Sequence, residues 1–524
     1  MKLYVKCDDQ WLYPDEDMLG TKTYDGAPLE LHAAAGGACG IQLLAAELTG
    51  QVQCDAPDAE VFVLRAVTVQ HNTADDEASG FEDAPFVYAK AQETCPPHCT
   101  RLAPFAVYDA FTPFAGQAPT DGKQAFFIRL NTDTPGDREL TVKVQSGEES
   151  GVVTVQLHVY DAGLPKEPTF AMDNWFSLEN MARCHGLTLY SEAHFEKIRE
   201  YAKIMRAMRQ SHFMLSPEIA PKGDFSVLER VAGIFFEEGL QTMKIGPLGQ
   251  RKRVYHAGLL ALEKDGEPVD SQEGQARLHA FLAGLSELAG KNGWQDKIVF
   301  HIADEPDEPE SAMDIRMPQY RMLSKLVKQY FPNAKICEAV KTTKFQEHID
   351  ILVPLSKTYE QEKAQFDATL AKGKEVWLYI CCVPIGNYYQ RFLDVPLVSL
   401  RQLFWSIARN RISGYLHWGL NQLEENQHPF LQTNQNHTYG DGKCLPAGDS
   451  HILYPDGALV YGSMRMHMCR KGCEDVELLK LLEKQVPALW QELTTQQFHG
   501  ETDTEKMRQA SVKLLAALDK RKSL

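Results

Sequence analysis

The sequence predicts a (β/α)8 TIM-like barrel of the α/β class, preceded by an N-terminal antiparallel β-sandwich and followed by helices packed on the barrel. Three observations predict it. Residues 1–165 are short extended runs punctuated by Gly, Pro, Asp and Asn, the stretch 166–456 alternates apolar strand-like runs with amphipathic helical ones, and 457–524 reads as helical.

In the first segment the runs are LYVKC, EVFVLRAVTVQ, QAFFIRLNT, ELTVKVQ and GVVTVQLHVYD. Val153, Val155, Leu157 and Val159 alternate with Thr154, Gln156 and His158, the period of a strand with one buried face. GLPKEPTF (163–170) carries two prolines and a glycine and marks a boundary. Eight candidate strands follow: 171–176, 212–216, 241–246, 297–304, 334–340, 349–355, 375–382 and 413–420. Between them lie helical stretches such as FEKIREYAKIMRAMR and LRQLFWSIARNR, and this repetition implies a parallel sheet. Eight units in that length match a closed barrel. An open doubly wound sheet would show a Gly-rich first turn, and none follows AMDNWF. VELLKLLEK and EKMRQASVKLLAALDKR then space apolar residues at i, i+3 and i+4.

A chain of 524 residues is too long for one small binding module. Its formal charge of −17 repels phosphate backbones and anionic headgroups, so neither nucleic acid nor membrane is an expected partner. No apolar run is long enough to span a bilayer and the N-terminus turns acidic at once; the expected location is the cytoplasm. The twelve cysteines are read as reduced thiols. Cys95-Pro-Pro-His-Cys99 has a metal-like spacing but lacks a second pair, and no metal or cofactor is expected.

Barrel enzymes carry their chemistry at the C-terminal ends of strands. The fourth candidate strand runs Ile298-Val299-Phe300-His301-Ile302-Ala303-Asp304-Glu305-Pro306. Neighbouring strand residues face opposite ways, so Asp304 and Glu305 can share a pocket only where the strand breaks, as Pro306 requires. Two close carboxyls do not both ionise easily, which leaves one as a general acid near neutral pH. The competing reading makes Asp304 a helix cap and Glu305, Asp307, Glu308 and Glu310 a solvated acidic first turn. His301 could join a metal site, orient a carboxylate or fill a barrel layer. Other strand ends supply Asn174, Trp175, Tyr379, Tyr388, Trp418 and Asn421. Rings for sugar C–H faces and amides for hydroxyls suit a carbohydrate, although each ring could equally be core.

HIADEP, GYLHWGLN and ILYPDGALVYGSMRMHMCRKGCEDVELLKLL together resemble the catalytic domain of glycoside hydrolase family 123, the β-N-acetylgalactosaminidase family, over roughly residues 170 to 485. The resemblance implies an exo-acting, retaining β-N-acetylhexosaminidase with GalNAc preferred, acting on a small oligosaccharide or glycoconjugate. Glu305 would be the acid and then the base. Asp304 would orient the substrate's 2-acetamido group, whose carbonyl oxygen attacks the anomeric carbon. Asn174, Trp175, His301, Tyr379, Tyr388, Trp418 and Asn421 would line the pocket. Arg465, Arg470, Glu474 and Asp475 belong to the closing pattern and are expected as ion pairs bracing the barrel. Two alternatives remain: a glycosidase for a sugar without an acetamido group, with Glu338 as separate nucleophile, and a non-catalytic carbohydrate-binding barrel.

Overall fold

A computed structural model describes residues 1–74, 88–116, 122–251, 257–435 and 444–523. The chain divides into two compact units: residues 170–384 with 412–418, and residues 1–169 with 385–411 and 419–524.

The first of these is the barrel. Its eight strands are Ala171–Asn174, His212–Leu215, Thr242–Ile245, Ile298–Phe300, Lys335–Ala339, Ile351–Val353, Glu375–Tyr379 and Gly414–His417. All the pairings are parallel, each strand beside its neighbour in sequence, and the first also pairs with the eighth. The seam between the first and second is bridged where the Ser211 amide donates to Met172 O at 3.1 Å, so the barrel is nearly closed. All eight expected strands form, each shorter than its apolar run, because the run continues into loops that are themselves buried. The helices Glu192–Ala207, Ser226–Glu237 and Gln272–Asn292 match the amphipathic stretches before the fourth strand. Each of Glu192–Ala207 and Gln272–Asn292 starts at a serine whose hydroxyl accepts an amide N–H.

Val299, Cys337, Ile351, Val353, Trp377 and Leu416 fill the interior as one apolar cluster. Within the barrel Lys244 and Asp173 form an ion pair at 2.5 Å, both side chains wholly buried. Burial alone would lower the lysine pKa, but the Asp173 carboxylate reverses this and raises it. Removing one member of such a pair strands the other charge. Lys244→Met should therefore cost about 3–5 kcal/mol in urea unfolding; wild-type stability in that variant would show that the pair is not charged.

In the other unit, the expected alternation is observed. Val153, Val155, Leu157 and Val159 are fully buried within Glu149–Tyr160, while their neighbours are not. A seven-stranded antiparallel sheet and a four-stranded sheet share one apolar cluster that includes Leu31, Ile41, Phe126, Val142 and Val155. The smaller sheet is not purely antiparallel, since Leu29–Ala34 runs parallel to Glu149–Tyr160. Residues just after 457 depart from the helical expectation: Tyr454–Asp456 and Leu459–Ser463 form a hairpin that extends the larger sheet by pairing with Phe105–Pro113. Gly457 opens its two-residue loop at a φ of +56°, the conformation such tight turns need. Helices Met464–Gln485 and Thr504–Leu518 follow. Ser399–Arg409 packs along the former within this same unit. No helix among the described residues is long and apolar enough to cross a membrane.

Candidate active site

The fourth barrel strand stops at Phe300, four residues before Asp304; residues 301–309 are irregular, and a short 3-10 turn over Glu310–Ala312 leads into the helix Met313–Tyr330. Asp304, Glu305, Asp307 and Glu308 are therefore not a helix's first turn, and Glu310 alone opens the 3-10 turn. Its members have separate fates. Asp307 is buried and accepts the amides of Lys341 and Thr342, Glu308 pairs with Lys341 at 3.0 Å, and Glu310 pairs with Lys344 at the surface.

Glu305 adopts a φ of +41°, a left-handed conformation that costs a β-carbon residue about 1 kcal/mol and collects at working sites. Its Oε1 accepts from the hydroxyl of Tyr379 at 2.7 Å. Tyr379 ends the seventh strand, with two strands between it and the fourth in the sheet order, so the bond crosses the C-terminal mouth and Glu305 reaches over it. Burial, then the charge of Asp304, raises the Glu305 pKa, and Lys341, Tyr379 and Arg251 pull it down by less. Asp304 is in a different setting. Its side chain is 38% exposed, its Oδ2 accepts from Arg251 at 3.1 Å, and its Oδ1 lies 3.9 Å from His301 Nε2. The adjacent carboxyls thus have different partners, Glu305 a tyrosine hydroxyl and Asp304 an arginine.

Behind them His301 is buried and touches Glu338 through Nδ1. Glu338 is also fully buried. Its Oε2 accepts from the Ile302 amide at 3.0 Å, the Ala303 amide at 3.1 Å and the Tyr320 hydroxyl at 2.7 Å. Gly246 presses on this segment so closely that a Cβ there would lie 2.0 Å from His301 O. Trp175 sits over His301 with ring centroids 5.1 Å apart, and its indole N–H donates to Asp173 at 3.2 Å. The ion pair in the barrel thereby anchors a ring at the mouth.

Among the aromatic and amide candidates, Trp175, His301 and Tyr379 thus join the acid pair directly or through one neighbour. Trp418 is half-buried and stacks on His417 at 6.5 Å. Asn174 is wholly buried, with its side-chain amide donating to Gln210 at 3.2 Å. Tyr388 and Asn421 belong to the other unit, where they bridge to His499 and His451. Arg251 and Lys341 were not among the sequence candidates; each lies in irregular chain just beyond a strand, and only their charge hinted at a role.

The late charged residues form ion pairs in the other unit. Arg465 bonds Asp109 at 2.9 Å, Arg470 bonds Glu474 at 2.8 Å, and Asp475 takes both Arg401 and the Trp405 indole. The twelve cysteines are all free thiols, and the Cys99 thiol donates to Asp394 at 3.2 Å. No group of three or more metal-ligating side chains is assembled among the described residues.

The family model described as the catalytic domain of glycoside hydrolase 123 matches residues 220–482. No curated protein sequence matches the chain. A family 123 glycoside hydrolase from Clostridium perfringens, studied for glycolipid glycan hydrolysis, has a similar structure at 13% identity with a TM-score of 0.67, covering 99% of this chain and 97% of that one. A GH10 xylanase from termite gut with a bacterial Ig-like domain aligns at 12% identity and a TM-score of 0.34, over 67% of this chain and 90% of its own. A GH39 β-xylosidase from Caulobacter crescentus aligns at 9% identity and a TM-score of 0.38, over 58% of this chain and 71% of its own.

Proposed function

This chain belongs to glycoside hydrolase family 123, and from that membership we propose that it is an exo-acting, retaining β-N-acetylhexosaminidase that prefers N-acetylgalactosamine and uses the substrate's own acetamido group as nucleophile. The substrate class is a small oligosaccharide or the glycan of a glycoconjugate.

Glu305, protonated, gives its proton to the glycosidic oxygen as the C–O bond breaks. The acetamido carbonyl oxygen bonds to the anomeric carbon in place of an enzyme group, and the ionised Asp304 accepts the amide N–H as positive charge builds in the ring. Water then attacks the same carbon and loses its proton to the Glu305 carboxylate, while the bond from that carbon to the acetamido oxygen breaks and the acetamido group is restored. Two inversions leave the configuration retained.

The observation that carries this reading is the contrast between the partners of the two neighbours: Glu305 is bonded to the Tyr379 hydroxyl and held above its ordinary pKa, while Asp304 is paired with Arg251. A second observation weighs against a separate nucleophile. Glu338, the carboxylate named for that role, is wholly buried, with Oε2 taken by the Ile302 and Ala303 amides and the Tyr320 hydroxyl and Oε1 against the His301 ring. A nucleophile must instead face the sugar about 5 Å from the acid.

Nitrophenyl glycosides of β-GalNAc, β-GlcNAc and β-galactose test the reading together. The expected result is cleavage of β-GalNAc ahead of β-GlcNAc and none of the galactoside. Cleavage of the galactoside alone would reject acetamido participation, and inertness towards all three would favour the binding barrel.

A further inference from the structure

We propose that Glu338 and His301 form a buried positioning dyad that orients Asp304, an inference that rests on Asp304 being the acetamido-orienting carboxylate. Glu338 does two things at once. Through Oε2 it ties down the backbone amides of Ile302 and Ala303, the two residues that lead into Asp304. Its Oε1 lies against His301 Nδ1 as an ion-pair contact without a regular hydrogen bond, which leaves the opposite ring nitrogen on the side of Asp304. That nitrogen, Nε2, is buried and has no hydrogen-bond partner among the described residues, and Asp304 Oδ1 stands 3.9 Å away. A buried unmet donor is costly, so the carboxylate is drawn towards it by a displacement of about 1 Å, the tightening expected when a substrate fills a site.

The charges around the dyad agree. Facing His301 are the carboxylates of Glu338 and Asp304 and the ammonium of Lys244; facing Asp304 are His301, Arg251 and Glu305. Burial and Lys244 oppose protonation of the imidazole, but the two carboxylates prevail and its pKa is raised. An imidazolium at this place cancels the Glu338 charge and adds to the pull of Arg251 on Asp304. Glu305 takes its hydrogen bond from the Tyr379 hydroxyl instead.

NMR titration of the histidine-labelled protein tests this without any substrate, with His301→Gln assigning the signal. In the wild type His301 should stay protonated above the ordinary histidine range and show a downfield Nδ1 proton. Glu338→Gln, which keeps the shape of the side chain, should move the midpoint down by about 1–3 pH units, and Asp304→Asn, at a partly exposed position, should move it down by less. A neutral His301 throughout the range of about pH 5–8, or a midpoint indifferent to Asp304→Asn, would overturn the dyad. In kinetics, His301→Gln should carry the acidic limb of kcat/KM to higher pH, as Asp304 loses a neighbouring cation; a purely structural histidine would lower the rate and leave that limb in place. Failure of the acetamido reading would appear in the glycoside panel and not in these titrations, so the two remain distinguishable.

Discussion

Glu305→Gln should lower kcat on a substrate with an unactivated leaving group by about 10²–10⁴-fold, with a much smaller loss on a nitrophenyl glycoside whose departing oxygen needs no proton. The amide keeps the volume and can still accept from Tyr379, so the loss isolates the proton. The pH profile carries a second signature. Because burial and Asp304 raise the Glu305 pKa, the wild-type basic limb should lie above the ordinary carboxyl value and vanish in the variant. The sign of the stability effect is opposite to that of activity. A carboxyl whose folded pKa exceeds its unfolded one favours the fold at low pH and loses that contribution as pH rises through the folded value. Glu305→Gln should therefore melt higher than wild type at neutral pH, with the difference closing once the medium is acidified below about pH 4. Full activity on the unactivated substrate, or a variant less stable at neutral pH than the wild type, would remove Glu305 from the role of buried acid.

Asp304→Asn should cost on the order of 10²–10³-fold in kcat on the β-GalNAc substrate, the range for losing one preorganised charge or dipole at a developing charge. The asparagine retains the carbonyl that could accept an amide N–H but not the anion that stabilises the cyclic cation. KM should change less than kcat, because the interaction matters most after the acetamido oxygen has begun to bond. Arg251 would then lose its partner at 3.1 Å, and Arg251→Lys should reproduce part of the defect through a displaced Asp304. If Asp304→Asn altered KM alone, the residue would be a binding contact and not a participant in the transition state.

Much of the architecture could be read before any coordinates. The parallel strands are buried on both faces and so appear as apolar runs, and all eight do. The alternation in Glu149–Tyr160 likewise follows from one face meeting a core. The hairpin at residues 454–463 was legible in principle, since Asp456-Gly457 is a turn pair flanked by strand-forming residues. It was masked by the long helix that begins at Met464. The grouping of Ser399–Arg409 with the terminal helices and N-terminal sheets was not legible, because periodicity shows that a helix has an apolar face and is silent on what covers it.

At the site, residue types and strand ends nominated Asp304, Glu305, Trp175, His301 and Tyr379, which the structure brings close to one another. Glu338 shows the limit: as a lone acid in an apolar strand it reads equally as a nucleophile or a buried partner, and only the closeness of the fourth and fifth strands makes it the latter. Arg251 and Tyr379 illustrate the same limit, meeting the acid pair from the chain after the third strand and from the end of the seventh.

The sequence by itself determined that the chain folds as strand and helix in alternation, and that two consecutive carboxyls end its fourth strand unit. Those are consequences of hydrophobic period and residue chemistry, which are local along the chain. Which carboxyl takes a tyrosine hydroxyl and which is held beside a cation was decided by the tertiary structure alone. Electrostatic surroundings act through space, and barrel closure draws those neighbours from strands far apart in the chain.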